Sequence, residues 1–307
     1  MKDRSFIITV DTEGDNLWTN SSSLDVSTEN ARFIPRFQEM CEKYGFKPVY
    51  LTNYEMALND EWVRYSAQKA REGKCEIGLH IHAWNTPPIV ELEKKFNGNP
   101  YITEYTAEQI EEKVKTVLDL LRERYETPII SHRSGRWATN DTYFEILARH
   151  GIKIDCSFTP EIDLSILPGC TVAGGNDYRD VCKHTHRLKS GIIEVPMTTR
   201  KLYMATSSSV KHNIKTLLLG EPTWLRPITK SENVLKCLTR KVQKEKDHDC
   251  LEFMLHSSEL MPGGSPYFKN EADIECLYDV LEAYFSYVNN LGYKGYTLSE
   301  YVNTLDV

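Results

Sequence analysis

Short runs of apolar, β-branched and aromatic residues alternate along the chain with longer stretches of helical period. This alternation is typical of strands joined by helical crossovers, which build a parallel sheet. The runs predict eight strands, a number large enough for a barrel: Phe6–Val10, Pro48–Thr52, Glu76–His82, Ile129–His132, Ile152–Phe158, Ile192–Met197, Leu251–His256 and Tyr293–Leu298.

The segments between these runs predict six helices, of which Ala107–Arg124 has the clearest pattern. It carries an apolar stripe opposite a charged face, and Thr106 with Gln109 forms a capping box at its start. The other predicted helices are Glu29–Lys43, Glu61–Glu72, Asp141–Arg149, Glu232–Lys246 and Glu271–Asn289.

No repeat, low-complexity tract or flexible linker divides the sequence, so we predict one α/β domain over residues 1–307. The helical pattern fades at about 169–229, where Gly, Ser and Pro collect. This segment is predicted to be an irregular insertion that forms long loops over one rim.

Charge and composition exclude several classes of protein. Lys and Arg number 37 against 44 Asp and Glu, a net charge of −7, so nucleic acid is not an expected main partner. No apolar stretch approaches the roughly 20 residues of a membrane span, and the first residues lack a signal-peptide core, which predicts a soluble cytoplasmic protein. The eight Cys form no CxxC pair and are expected to be reduced. The oligomeric state stays open.

Polar side chains gather where the predicted strands end, which is where parallel α/β proteins place their sites. The first strand is followed by three acidic residues, Asp11, Glu13 and Asp15. His80 and His82 lie at the end of the third strand, and Arg133 directly follows the fourth. Residues i and i+2 of a strand share a face, so His80 and His82 can hold one ion. Together with His256 after the seventh strand, these groups are typical of a metal-dependent hydrolase.

Each cluster also has a structural explanation. Carboxylates after a strand often form a solvated turn, and a single histidine is often a hydrogen-bonded core residue. A second imidazole pair, His184 and His186 near Cys182, competes as a metal cluster. It falls in a basic loop with no strand predicted beneath it, and we interpret it as solvated or rim-lining.

The segment Thr9-Val10-Asp11-Thr12-Glu13 resembles the first motif of the polysaccharide deacetylases, carbohydrate esterase family four. The resemblance extends over most of the chain and implies a distorted (β/α)7 barrel. It assigns Asp11 as the general base. Because Thr12 stands where the family has its metal carboxylate, that ligand is expected to be Glu13 or Asp15, with Glu13 preferred on strand parity.

The segment Glu76-Ile77-Gly78-Leu79-His80 resembles the approach to the second motif, which normally ends in His-x-x-x-His. Here the fourth residue after His80 is Trp84, so the second imidazole is His82. The His-x-His-x-Trp version resembles a subgroup associated with surface-polysaccharide biosynthesis. The resemblance implies a divalent metal on His80 and His82. Imidazole and carboxylate ligands suit Zn²⁺, which is the expected metal, but they also accept Co²⁺, Mn²⁺ or Ni²⁺.

Two further motifs assign the remaining roles by resemblance. Ser131–Trp137 is similar to the third motif, which makes Arg133 the residue that orients the base. Leu255-His256-Ser257 is similar to the fifth, which makes His256 the general acid, and Asp155 is the nearest candidate to orient it. Trp84 and Trp137 are expected either to bind a sugar face or simply to pack at the rim.

The sequence therefore predicts a metal-dependent deacetylase that acts on an N-acetylated sugar or glycan conjugate. Two alternatives remain: a glycoside hydrolase that uses two carboxylates from Asp11, Glu13, Asp15 and Glu259, and a carbohydrate-binding barrel without catalysis. The insertion is expected to cover the site, with three basic residues, Lys183, Arg187 and Lys189, either contacting phosphates of a sugar conjugate or balancing local acidic charge.

Overall fold

The computed structural model of the protein describes residues 4–17, 26–204, 210–228, 231–245 and 250–305. All eight predicted strands are present, and together with one short extra strand they form a single nine-stranded sheet. The described strands are β1 Arg4–Thr12, β2 Pro48–Thr52, β3 Glu76–Ile81, β4 Ser131–Ser134, β5 Ile154–Asp155, β6 His186–Arg187, β7 Ile193–Glu194, β8 Thr199–Leu202, β9 Glu221–Trp224, β10 Cys250–His256 and β11 Tyr293–Gly295. Of these, β8 and β9 lie outside that sheet and form a separate antiparallel pair.

The order of strands along the sheet is β10-β1-β2-β3-β4-β5-β7-β6, and β11 pairs with the start of β1. Neighbouring strands are parallel except for β6 and β7. The sheet curls into a half-barrel with helices packed outside it, which confirms the predicted class of fold.

The helices follow the predicted pattern closely. Ala107–Arg124 has the predicted bounds and capping box, and the predicted Glu29–Lys43 is a 3-10 turn followed by a helix that begins beside Pro35. Lys246, the predicted end of another helix, lies outside the described residues. The helices are α1 Ile34–Lys43, α2 Tyr54–Leu58, α3 Asp60–Arg71, α4 Ala107–Arg124, α5 Asp141–Arg149, α6 Val210–Leu219, α7 Asn233–Val242, α8 Glu271–Asn290 and α9 Leu298–Val302.

The segment at about 169–229 is more regular than the sequence suggests. Its described part contains β6, β7, the antiparallel pair β8 and β9, and helix α6, whereas 205–209 and 229 lie outside the description. The prediction that no strand underlies the second imidazole pair was wrong, because His186 lies in β6. These strands are two to four residues long, too short to establish a period of two in the sequence.

Strand β1 separates two hydrophobic layers by the parity of its residues. Phe6, Ile8 and Val10 pack outward against the helices in one buried cluster. Ile7 points to the other side, into a barrel interior that α9 fills with Leu298 and Tyr301. Because alternate strand residues share a face, Asp11 points the same way as Ile7, above this interior layer.

No helix in the described part of the chain combines the length and the apolar character needed to cross a membrane.

Candidate active site

Glu13, His80 and His82 converge at the carboxyl ends of β1 and β3. The Nε2 atoms of the two imidazoles lie 3.1 Å apart. Glu13 Oε2 lies 3.4 Å from His80 Nε2 and 3.0 Å from His82 Nε2. All three side chains are buried, and they form the one group of three acidic, imidazole or thiol side chains, among the described residues, that could hold a metal ion.

The spacing of these three atoms fits a tetrahedral metal ion. Ligands about 2.0–2.1 Å from such an ion stand about 3.3 Å from one another, so three ligands form a triangle of that edge. The observed edges of 3.0 to 3.4 Å match one face of the tetrahedron. Three protein ligands would leave a fourth position of such an ion for water or substrate, as in catalytic zinc sites.

The orientation of His80 is set by the neighbouring strand. Its Nδ1 lies 2.8 Å from the backbone carbonyl of Arg133, to which it donates, so Nε2 of the neutral ring carries the lone pair and faces Glu13. The residue after β4, Gly135, leaves the space that His82 needs. A Cβ at this position would collide with the His82 ring and with the carbonyl of Ile81.

Asp15 is not part of this cluster. Its carboxylate accepts hydrogen bonds from the Ser27 hydroxyl at 3.2 Å and from the backbone N–H of Asn30 at 3.0 Å. It therefore stabilises the start of the 3-10 turn at Glu29–Phe33. Of the two carboxylates proposed as the metal ligand, only Glu13 reaches the imidazoles.

Asp11 is held by a buried arginine. Arg133 Nη1 donates to Asp11 Oδ1 at 2.7 Å, and Arg133 Nη2 donates to Glu252 on β10 and to the Thr9 hydroxyl. Burial by itself raises the pKa of Asp11, but the neighbouring positive charge, that of Arg133 above all, outweighs it and lowers that pKa below its ordinary value. Asp11 is therefore an ionised carboxylate with a fixed orientation.

Glu252 also binds the guanidinium of Arg133, but its pKa shifts in the opposite direction to that of Asp11. Its side chain is fully buried, and burial raises its pKa to about 8 despite Arg133. Near neutral pH the folded protein therefore holds a proton on Glu252, whereas the unfolded chain, with an ordinary carboxyl pKa near 4.5, does not.

The raised pKa of Glu252 predicts how stability depends on pH. The folded state binds a proton on Glu252 that the unfolded chain releases. The stabilising contribution of this proton is therefore complete below about pH 4.5 and is lost as the pH rises to about 8. Between these two pH values, the rise in pH lowers the free energy of unfolding by up to about 1.4 kcal/mol per pH unit. Urea titrations across pH 5–8 should show a shallower decline for Glu252→Gln than for the wild type. Parallel declines would contradict the assignment.

His256 ends β10 and points its Nε2 into the same site, 3.7 Å from Asp11 Oδ2 and 3.9 Å from Glu13 Oε1. Arg226 Nη2 lies 2.8 Å from His256 Nδ1 and 2.7 Å from Glu259 Oε1. A guanidinium can only donate, so Nδ1 accepts and the proton of the neutral ring is on Nε2, facing the site. Burial raises the pKa of Glu259, but Arg226 and His256 outweigh it and lower that pKa to about 2.

Asp155, the residue expected to orient His256, instead belongs to a separate buried cluster. Its carboxylate contacts His132 Nδ1 and accepts from the backbone N–H and hydroxyl of Ser157, both at 3.0 Å. His132 Nε2 lies 2.8 Å from the Tyr143 hydroxyl. Asp155 thus braces β4 and β5, and Arg226 with Glu259 holds His256 in its place.

The three candidate ligands, Asp11 and His256 line one cavity of about 370 Å³, with Trp84 and Trp137 in its wall. Trp84 stacks on His82 with ring centroids 4.5 Å apart. Lys183, Arg187 and Lys189 do not line this cavity. Lys183 pairs with Glu161, and Lys189 lies 3.4 Å from Asp141.

A strained turn forms part of the cavity wall. Arg136 and Trp137, directly after β4, have φ angles of 54° and 60°, a region that residues other than glycine rarely adopt. Hydrogen bonds from Arg136 to backbone carbonyls of distant loops offset this strain. Its guanidinium donates to the carbonyl of Asn99 and, at 2.9 Å, to that of Pro168.

Sequence reasoning missed Arg226 and Glu252. Arg226 lies in the weakly patterned segment beyond β9, and no local signal relates it to His256, 30 residues away. Glu252 interrupts the apolar run of β10, and a carboxylate within a buried strand was the available signal.

Comparison of the sequence with protein families and with curated proteins gave no match. Among solved structures, one described as a "putative polysaccharide deacetylase" from Mycobacterium smegmatis is similar to this chain, with 12% identity and a TM-score of 0.55 over 98% of this chain and 90% of that one. The 4-alpha-glucanotransferase of Thermococcus litoralis is similar with 12% identity and a TM-score of 0.54, over 100% of this chain and 41% of that one.

The Xyl-CE4 domain of a multidomain xylanase from the hindgut metagenome of Trinervitermes trinervoides matches with 11% identity and a TM-score of 0.46, over 98% of this chain and 90% of that one. A TM-score this low does not by itself establish a shared fold. The two stronger matches share the fold with this chain but are described with different activities. The likeness therefore establishes the barrel, and the choice of chemistry depends on the side chains of the site.

Proposed function

We propose that this protein is a metal-dependent hydrolase that removes the N-acetyl group from a sugar or sugar conjugate. The observation that carries the proposal is the triangle of Glu13, His80 and His82 in one cavity with Asp11 and His256. An open metal site beside an ionised carboxylate and an imidazole N–H is the set of groups that amide hydrolysis requires.

The three ligands would hold a divalent ion, which supplies a Lewis acid for the acetamide oxygen and lowers the pKa of nearby water. Glu13 is suited to this role because its Oε2 lies 3.0 Å from His82 Nε2 and 3.4 Å from His80 Nε2, and its pKa stays well below the ordinary value although burial alone would raise it. A carboxylate and two imidazoles match the preferences of Zn²⁺.

Asp11 acts as the general base. It takes a proton from the attacking water, and Arg133 holds the carboxylate through Oδ1 so that Oδ2 faces the cavity side of His256. The acetyl carbonyl carbon must lie within reach of that water, between Asp11 and the three ligands.

His256 donates a proton to the departing amine from Nε2 of its protonated ring, which thereby becomes neutral. Arg226 fixes the ring in the resting state, and Glu259 Oε2, 3.8 Å from Nδ1, is the carboxylate on the side away from the cavity that balances the charge of a protonated ring. The proton given to nitrogen balances the one that Asp11 receives. Trp84 and Trp137 provide apolar surfaces at the cavity wall for a sugar ring.

The charges of the cavity favour this chemistry over glycoside cleavage by two carboxylates. A glycosidase needs one carboxyl that keeps its proton near neutral pH. The pKa values of Asp11 and Glu13 are both lowered, and that of Glu259 falls to about 2. Among the described residues, none of the carboxyl groups that line the cavity can serve as that acid.

Acetate release tests the proposal. The protein loaded with Zn²⁺ is assayed against nucleotide-linked N-acetyl sugars, chitin oligomers and peptidoglycan fragments, with and without a chelator. We expect acetate from at least one class, loss of activity after chelation, and recovery when metal is returned. Cleavage of glycosidic bonds that survives chelation would identify a glycosidase, and substrate binding without acetate at full metal occupancy would identify a binding protein.

A further inference from the structure

Helix α6 exposes a contiguous apolar face. Ile214, Leu217 and Leu218 are 54%, 53% and 73% exposed, and their spacing places them on one side of the helix. Leu219 at the end of the helix is 63% exposed, while Thr216 on the opposite side is buried. Single exposed leucines are common, but a cluster of this kind marks an interaction surface.

The chain around α6 is strongly basic. Residues 200–246 contain eleven Lys and Arg against three Asp and Glu, although the whole chain contains 37 against 44. Leaving out Arg226, which contacts His256, and the pair of Arg200 with Glu245, nine Lys and Arg still stand against two Asp and Glu in a chain whose net charge is −7. Such an asymmetry indicates an anionic partner for this part of the molecule.

The apolar and basic groups are neighbours in space. A methyl group at Gly220, directly after α6, would lie 3.0 Å from Tyr203 Cζ and 3.2 Å from Lys201 Cβ. Lys241 Nζ lies 5.5 Å from the centre of the Tyr203 ring and donates to the carbonyl of Lys201. Tyr203 is itself 57% exposed. We call the exposed residues of α6 together with Tyr203, Lys201 and Lys241 the α6 surface.

We propose that the α6 surface binds an anionic phospholipid bilayer. An exposed apolar helix face beside lysines and an aromatic ring matches the two layers of a membrane surface, since leucines enter the acyl boundary and lysines contact phosphates. A second copy of this chain fits less well, because it would bring two segments of like charge together.

The α6 surface is close to the cavity through β9, which begins after Gly220, the one residue that separates it from α6. Trp224 at the end of this four-residue strand packs on Trp137 of the cavity wall, with ring centroids 5.0 Å apart. Docking would therefore hold the cavity near the lipid headgroups. This inference goes beyond the proposed function, and its test needs no catalytic activity.

Vesicle sedimentation tests the inference with the full chain. Vesicles of phosphatidylcholine with about 30% phosphatidylglycerol are compared with phosphatidylcholine alone. We expect binding to be at least about tenfold tighter to the anionic vesicles, and to weaken between about 50 mM and about 500 mM NaCl because salt screens the lysines. The double variant Leu217→Ser/Leu218→Ser should bind about tenfold or more weakly. Lys201→Gln and Lys241→Gln should each cost about fivefold.

A matched control is available on another part of the molecule. Ile166 and Leu167 are also exposed apolar neighbours but follow Asp163 in an acidic setting. The double variant Ile166→Ser/Leu167→Ser should bind anionic vesicles as the wild type does. Absence of wild-type binding, or equal loss in the control variant, would overturn the inference. So would a dimer in analytical ultracentrifugation that Leu217→Ser/Leu218→Ser dissociates, because the face would then bind a second copy.

Discussion

Replacing either His80 or His82 with alanine is expected to abolish stoichiometric metal binding and acetate release together. Each imidazole supplies one corner of the observed triangle, and two ligands hold a divalent ion far more weakly than three. The loss should exceed the roughly 10–100-fold that accompanies removal of a hydrogen-bond partner of a ligand. Elemental analysis of the purified variants and titration with Zn²⁺ would measure it.

His186→Ala is the matched control for the metal measurement. This imidazole lies in β6 outside the triangle, with its Nδ1 2.9 Å from the carbonyl of His184. The variant should keep full metal content. One metal ion per chain in both His80→Ala and His82→Ala would show that the ion binds elsewhere.

Asp11→Asn is expected to lower kcat on the order of 10²–10⁴-fold while metal content stays unchanged. The amide keeps the shape of the carboxylate and its oxygen can still accept from Arg133, but it cannot take a proton from water. Steady-state rates at saturating metal, with circular dichroism to verify folding, would measure the effect.

Asp15→Asn provides the comparison for Asp11→Asn. Asp15 is also buried and lies four residues away, but its carboxylate stabilises the 3-10 turn and does not line the cavity. This variant should keep kcat within a few fold. Near-normal turnover in Asp11→Asn would remove Asp11 from the role of base.

Local patterns sufficed to predict much of the fold, because strands and helices in this chain follow their own periods. The capping box of α4 is read from two side chains three residues apart, and the convergence of His80 and His82 follows from their alternate positions on one strand. Short strands such as β6 carry too few residues for such a pattern.

The partners of His256 could not be predicted in the same way. Asp155 lies at the end of a strand, as the pattern required, but its carboxylate binds His132 on the adjacent strand. Arg226 comes to His256 only through the course of the chain beyond β9. Which of two charged groups reaches an imidazole depends on tertiary packing, and no local period encodes it.

The strained turn after β4 limits how far this protein can be stabilised. Two consecutive left-handed residues cost on the order of 1–3 kcal/mol each, and glycine at either position would relieve that strain. Glycine at 136 would release the distant loop that the guanidinium binds, and glycine at 137 would remove an indole from the cavity wall. Thermostability engineering through this turn would therefore trade heat resistance against the shape of the cavity, and stabilising substitutions belong on the outer helices instead.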